Sequence, residues 1–219
     1  ENCFRIVTGD LGGSFGMKGS FYPEYVLVVW ASRRLQRPVK WFADRSESHQ
    51  SDNHGRDNVT EAELALSEEG EFLGLRVKTI AALGAYPSTL PAGPPTGNLG
   101  GLAGPYKTPA AYIQVTGVYT NTNPTGAYRG AGRPEASYVM ERLVDLASRK
   151  LAIDPVELRR RNMIAPADLP FSTPTGFNYD SGDFANTLDM ALAEGDYDGF
   201  DGRRAEANAR GKLRGLGIS

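Results

Sequence analysis

Two short glycine-rich stretches hold the residue types best suited to gripping a ligand. The first is Leu11-Gly12-Gly13-Ser14-Phe15-Gly16-Met17-Lys18-Gly19-Ser20, with four glycines in ten positions, and the second is Gly126-Ala127-Tyr128-Arg129-Gly130-Ala131-Gly132. Each reads as a loop after a strand and before a helix. Such junctions turn backbone N–H groups outward near a helix N-terminus, which suits the anionic oxygens of phosphate, oxo or pterin-type groups. The same turns also serve packing alone in many α/β proteins. Arg129 stands inside the second loop, where a guanidinium can clamp an anion or form a structural ion pair, and both readings stay open.

The other chemical candidates are weaker. Lys18 is followed by Gly19 where a phosphate-binding Walker loop needs Ser or Thr, and Gly13, Phe15 and Gly16 do not give the dinucleotide G-x-G-x-x-G spacing. A nucleotide-binding module is therefore the least favoured function. His49 and His54, the only histidines, lack the helical spacing of a zinc hydrolase and suit a loop-ordering role. With Cys3 the only cysteine, neither an internal disulfide nor a closed Cys/His zinc site can form. Ser14 and Ser20 lie near glycines without a G-x-S-x-G elbow or a histidine pattern to activate them, which disfavours hydrolysis.

Elements that would position these loops can be read from periodicity. Apolar runs predict strands near residues 3–8, 38–43, 59–67, 71–83 and 111–120. Thr60, Ala62, Leu64 and Leu66 alternate with Val59, Glu61, Glu63 and Ala65, and Glu69-Gly70 makes the turn to a hairpin partner with one wet face. Helices are expected near 23–36, 134–151 and 155–163, the last with Asp154 as N-cap, Pro155 at the first position and Glu157 behind it. Residues 44–58 read as irregular apart from one helical turn, 84–109 as a long ordered loop, 165–182 as loop, and 183–194 and 202–212 as further helices. The fold class is α+β, a mixed β-sheet with helices packed on it.

A chain of 219 residues with 40% hydrophobic residues can bury a core, while a net charge of −2 spread along the chain carries no footprint for nucleic acid or an anionic membrane surface. Apolar runs such as 26–31 fall well short of the roughly 20 residues a membrane helix needs. No signal peptide is visible, so a cytoplasmic location is expected. The first residues already read as a strand, and 213–219 as one just beginning, as though both ends were cut from a longer protein.

Four motifs together resemble a known family. Leu11 to Lys18 is similar to the G-G-G-F-G-x-K loop of the molybdenum-cofactor-binding large subunits of the xanthine oxidase, aldehyde oxidase and aerobic carbon monoxide dehydrogenase family, in its carbon monoxide dehydrogenase-like form. Arg37-Pro38-Val39-Lys40-Trp41-Phe42-Ala43-Asp44-Arg45-Ser46-Glu47 and His54-Gly55-Arg56-Asp57 resemble the segment that follows. Ala127-Tyr128-Arg129-Gly130-Ala131-Gly132-Arg133-Pro134-Glu135 resembles the A-[FY]-R-G-x-G-x-P-[EQ] loop beside the metal, and Ile153-Asp154-Pro155 through Arg161-Asn162-Met163 the helix and R-x-N-[ML] ending after it. The motifs stand in family order and cover nearly the whole chain.

The resemblance implies a cofactor-binding domain over 1–164, incomplete, followed over 165–219 by a loop and helical connector to a further domain. It implies molybdopterin cytosine dinucleotide with molybdenum, held by Gly13, Ser14, Phe15 and Gly16 on one side and Ala127, Tyr128, Arg129 and Gly130 on the other, with no direct metal ligand from this chain. It also implies a 2Fe-2S small subunit, an FAD-binding medium subunit and the rest of the large subunit as partners. The reaction would be oxidative hydroxylation of a small molecule with water as the oxygen source. Where copper-containing carbon monoxide dehydrogenases carry cysteine this chain has Gly130, and where purine oxidases carry glutamate and phenylalanine it has Gly19 and Ala131. Those last two define a roomier, less polar substrate pocket, suited to an aldehyde or an aromatic N-heterocycle. The family's general-base glutamate and the glutamine beside the metal match nothing here, so the isolated chain is expected to fold but to bind cofactor weakly and not turn over. The rival is a non-catalytic piece of a split or truncated large subunit, completing a site with another chain.

Overall fold

The structure, a computed structural model, describes residues 5–88, 93–97 and 99–219. Its centre is a mixed three-stranded sheet of β1 (Asn58–Leu66), β2 (Phe72–Ala82) and β3 (Ala111–Val118), in that order. β1 and β2 run antiparallel and β2 and β3 parallel. The sequence alternation sets the inward face of β1: Thr60, Ala62, Leu64 and Leu66 turn in, and Val59, Glu61, Glu63 and Ala65 face water. At the hairpin tip Gly70 takes a φ of 87°. A Cβ there would meet Leu158 Cδ1 at 2.9 Å, which explains glycine at this turn.

Two helices complete the core. α4 (Arg133–Leu151) turns Ala136, Met140, Val144 and Ala147 onto Phe72, Leu75 and Val77 of β2, with Leu158 of α5 (Pro155–Asn162) beside them. Asp154 caps α5 as expected, accepting from the Val156 and Glu157 amides at 2.9 and 3.0 Å. Asn162, at its other end, accepts from Phe72 N at 2.8 Å and donates to Gly70 O and Leu158 O at 2.9 Å, stitching helix to hairpin. Beneath α4 the buried Arg159 guanidinium meets Glu141, which also accepts from the Tyr106 hydroxyl at 2.7 Å.

Several expectations need correction. Residues 5–8 and 38–43 join no ladder among the described residues, and residues 3 and 4 of the first expected strand lie outside the described ones. Ile6 and Val7 are among the most exposed apolar residues, while Trp41 packs its ring 6.3 Å from that of Tyr22. Strand propensity alone does not make a strand when no neighbouring edge supplies hydrogen bonds. Residues 213–219 likewise pair with no described strand.

The region read as irregular before 58 holds a true helix, α2 (Arg45–Ser51), because Asp44 caps it by accepting from Glu47 N at 2.8 Å. The stretch 84–109, expected as a long ordered loop, carries α3 (Gly93–Gly97), a 3-10 turn at Leu99–Ala103, and the buried residues Leu102, Ala103, Tyr106 and Thr108, while 89–92 and 98 lie outside the described residues. A two-residue hairpin, β4 (Phe171–Ser172) with β5 (Asn178–Tyr179), lies within 165–182. The remaining helices, α1 (Pro23–Leu35), α6 (Phe184–Glu194) and α7 (Phe200–Ala209), fall close to their expected places. α1 buries none of its residues, and Trp30 and Leu35 are well exposed.

Candidate functional site

The two glycine loops, far apart in sequence, meet. The Arg129 amide donates to Phe15 O at 2.8 Å, and the Arg129 guanidinium lies over the Phe15 ring, 5.8 Å from its centre. At Gly16, with φ 99°, an added Cβ would strike Ala127 O at 2.7 Å and Ala127 C at 2.9 Å. This backbone contact tolerates no side chain, so glycine here is a requirement of packing as well as of dihedral angle. Phe15 itself stands at φ 54°, a conformation that non-glycine residues adopt only where surrounding contacts hold them.

A third segment locks the pair. His54 N donates to Pro124 O at 2.9 Å and Gly126 N to His54 O at 2.8 Å, forming a parallel bridge between 54 and 125. Asn53 Nδ2 donates to Ser20 Oγ at 2.8 Å, tying the same segment to the first loop. Tyr22 OH donates to Asp52 Oδ1 at 2.9 Å, and burial together with that carboxylate pushes the phenol well above its ordinary range.

Between these segments opens a cavity of about 850 Å³, lined by Phe15 and Lys18 of the first loop, Tyr128 and Arg129 of the second, and residues between Phe42 and His54. That volume lies in the range of about 300–1,000 Å³ typical of ligand and cofactor sites. Lys18, Arg45 and Arg129 supply cationic groups on its wall, with His49 and His54 beside them and Asp44 and Asp52 as the carboxylates. Such a lining suits a large anionic group with hydrogen-bonding edges, and the glycine-only contact at Gly16 leaves backbone at the rim.

Of the expected cofactor-holding residues, Phe15, Tyr128 and Arg129 line this cavity, and Gly16 and Ala127 form the junction at its edge. Gly13, with φ 104°, leaves room for the Phe15 ring, which a Cβ there would meet at 2.9 Å, and Ser14 joins it to Phe15. Gly130 has φ 90°, and a Cβ there would meet Pro134 Cδ at 2.7 Å. Gly19 and Ala131 are not on the cavity wall; a Cβ at Gly19 meets open space, and Ala131 bends the second loop at φ 41°. Among the described residues Arg129 pairs with no carboxylate, so its structural role is the stack on Phe15.

Sequence reasoning missed the stretch from Phe42 to His54 as a wall, having read its first two residues as the end of a strand and the rest as irregular apart from one helical turn, and it assigned nothing to Arg56. The H-G-R-D motif was the available signal.

The model of the molybdopterin cofactor-binding domain matches residues 1–163. The chain belongs to that family. It is 41% identical to the carbon monoxide dehydrogenase large chain of Hydrogenophaga pseudoflava, over 100% of this chain and 28% of that protein. It is 36% identical to the 6-hydroxypseudooxynicotine dehydrogenase complex subunit gamma of Paenarthrobacter nicotinovorans, over 98% of this chain and 28% of that one. Among solved structures, quinoline 2-oxidoreductase from Pseudomonas putida 86 superposes with a TM-score of 0.86 at 37% identity, covering 92% of this chain and 26% of that chain. The chain thus spans little more than a quarter of the length of the relatives it matches. Within the family the mixed sheet with helices packed on it is the expected architecture, and no described helix is long and apolar enough to cross a membrane.

Proposed function

We propose that this chain is part of the large subunit of a molybdenum hydroxylase that converts an aldehyde or an aromatic N-heterocycle to its hydroxylated product, with water as the oxygen source. The observation that carries the reading is the contact of the two glycine loops at Gly16 and Ala127, which sets Phe15, Tyr128 and Arg129 around one cavity with a cationic wall.

In this reading Gly13 to Gly16 and Ala127 to Gly130 hold molybdopterin cytosine dinucleotide, the glycines by letting backbone approach and Lys18 and Arg129 by their charge. The bound group supplies the redox chemistry: C–H and water become C–OH, and two electrons and two protons are released. A 2Fe-2S group on a small subunit and FAD on a medium subunit would supply the electron-accepting chemistry. The protein's own residues orient the group and offer hydrogen-bonding and cationic groups to it. Residues 1–164 are the cofactor-binding domain, and 165–219 connect it to the next one.

The substrate class rests on the residue types at Gly19, Ala131 and Gly130. The first two are small where purine oxidases have bulk and charge, although neither lines the cavity described above. At Gly130 a positive φ and the crowding of Pro134 oppose any side chain, which disfavours a copper-ligating cysteine and hence carbon monoxide oxidation. The likeness to quinoline 2-oxidoreductase supports a heterocycle.

The test is elemental analysis and nucleotide release on the full-length protein from a cofactor-producing host. Molybdenum with released CMP and no copper is the expected result. A protein empty of molybdenum would overturn the hydroxylase reading in favour of the non-catalytic piece of a split subunit.

A further inference from the structure

Arg56 reaches across the second loop, touching it at two points and the first turn of α4 at a third. Its Nη2 donates to Arg129 O, its guanidinium lies over the Tyr128 ring at 5.0 Å from the centre, and its Nε stands 3.8 Å from Glu135 Oε2 in the first turn of α4. That carboxylate oxygen is buried and has no hydrogen-bond partner among the described residues, so the Arg56 cation is the group that compensates it.

The backbone beneath Arg56 is equally constrained. Arg56 has φ 62°, a left-handed conformation unusual for a long side chain. Gly55 before it is pressed against the second loop, since a Cβ there would meet Tyr128 Cβ at 3.0 Å. His54 is bridged to 124–126, and Asp57 O accepts from Ala82 N at 3.0 Å at the end of β2. A residue held on both sides by backbone hydrogen bonds, and bent into a costly conformation, is a fixed post from which the side chain braces the loop.

We infer that Arg56 is a positioning residue: it fixes the 128–130 backbone and the Tyr128 ring, and thereby the orientation of the cavity wall they form. The inference rests on the proposed cofactor site. Only a planar guanidinium makes the three contacts at once, because one face covers the ring while an edge donor reaches the carbonyl and the cation stands beside the carboxylate. Lysine keeps the charge beside Glu135 but cannot also span the ring and the carbonyl. Without this brace the 128–130 backbone keeps the Arg129 N to Phe15 O bond but loses the hold on the Arg129 carbonyl and the Tyr128 ring, and displacements of about 1 Å at a reacting centre cost up to roughly a hundredfold in rate.

The experiment uses the full-length protein from a cofactor-producing host, reduced with dithionite, with molybdenum content and the Mo(V) paramagnetic resonance line shape as readouts beside thermal stability. In Arg56→Met the folded fraction should retain molybdenum within about twofold of the parent, with at least about half of its signal moved out of the parent line shape. Arg56→Lys should show the same change at smaller amplitude. A purely structural role lowers the melting temperature and leaves the line shape of folded protein unchanged, and that outcome overturns the inference. If Arg56→Met does not fold, Arg56→Lys decides alone, with an unchanged line shape as the refutation. Gly16→Ala separates the two levels. If it alters the signal and the Arg56 variants do not, only the role of Arg56 fails. If neither alters it, or the parent holds no molybdenum, the cofactor site and the role built on it fail together.

Discussion

Alanine at Gly16 offers the sharpest test of how the two loops are joined. Gly16 stands at φ 99°, and its Cβ position is 2.7 Å from Ala127 O and 3.2 Å from Tyr128 Cα. Holding a non-glycine residue in such a conformation costs about 1–3 kcal/mol. Moving the loops apart to admit the methyl group also sacrifices the bond from Arg129 N to Phe15 O, worth about 0.5–1.5 kcal/mol. The contact should weaken by roughly 1.5–4.5 kcal/mol, which at 1.4 kcal/mol per tenfold raises its open population by roughly 10- to 1,500-fold, up to the limit set by its own stability.

The global fold should hardly register this change, because residues 5–22 contribute nothing to the core formed by β2, α4 and α5. Amide hydrogen exchange distinguishes the two. In Gly16→Ala the Arg129 amide loses protection while the amides of Val77 and Met140 keep theirs. Gly12→Ala, where a Cβ meets nothing within 4 Å, serves as the control and should leave all three unchanged. An Arg129 amide equally protected in the parent and in Gly16→Ala would refute the packing argument, as would an equal loss in Gly12→Ala.

Two further outcomes follow from the core. Asn162→Ala removes the partner of Phe72 N and two donated hydrogen bonds in a buried site, and should destabilise the chain by about 2–4 kcal/mol in urea unfolding; a loss below about 1 kcal/mol would contradict the stitching role. Burial and the neighbouring Glu141 raise the Tyr106 phenol above its ordinary value. A raised folded value means that its contribution is fully present below about pH 10, where the phenol of the unfolded chain still holds its proton, and is lost as pH climbs toward the folded value. Tyr106→Phe should therefore be less stable than the parent at about pH 8, for want of the bond to Glu141, with the gap narrowing above about pH 10. A gap constant through about pH 11 would rule the linkage out.

Much of the scaffold is legible without coordinates. The alternation from Val59 to Leu66 shows that one face of β1 is wet, and Asp154 with Pro155 specifies where α5 starts, because each signal is contained within a few residues and acts through local geometry. The two glycine loops are equally visible as places where backbone is bared. The resemblance sets them on two sides of one cofactor, but their direct contact is not legible. That Gly16 must be glycine because Ala127 O lies against it, and that Arg56 donates to a carbonyl 73 residues away, are facts of chain packing that no local pattern specifies. The same limit explains the unpaired segments at 5–8 and 38–43, whose apolar runs satisfy the pattern of a strand but find no edge to bond. Residue type and spacing determined which segments could become elements and loops; tertiary structure decided which of them meet, since hydrogen-bond ladders and close backbone contacts depend on partners that sequence neighbours do not supply.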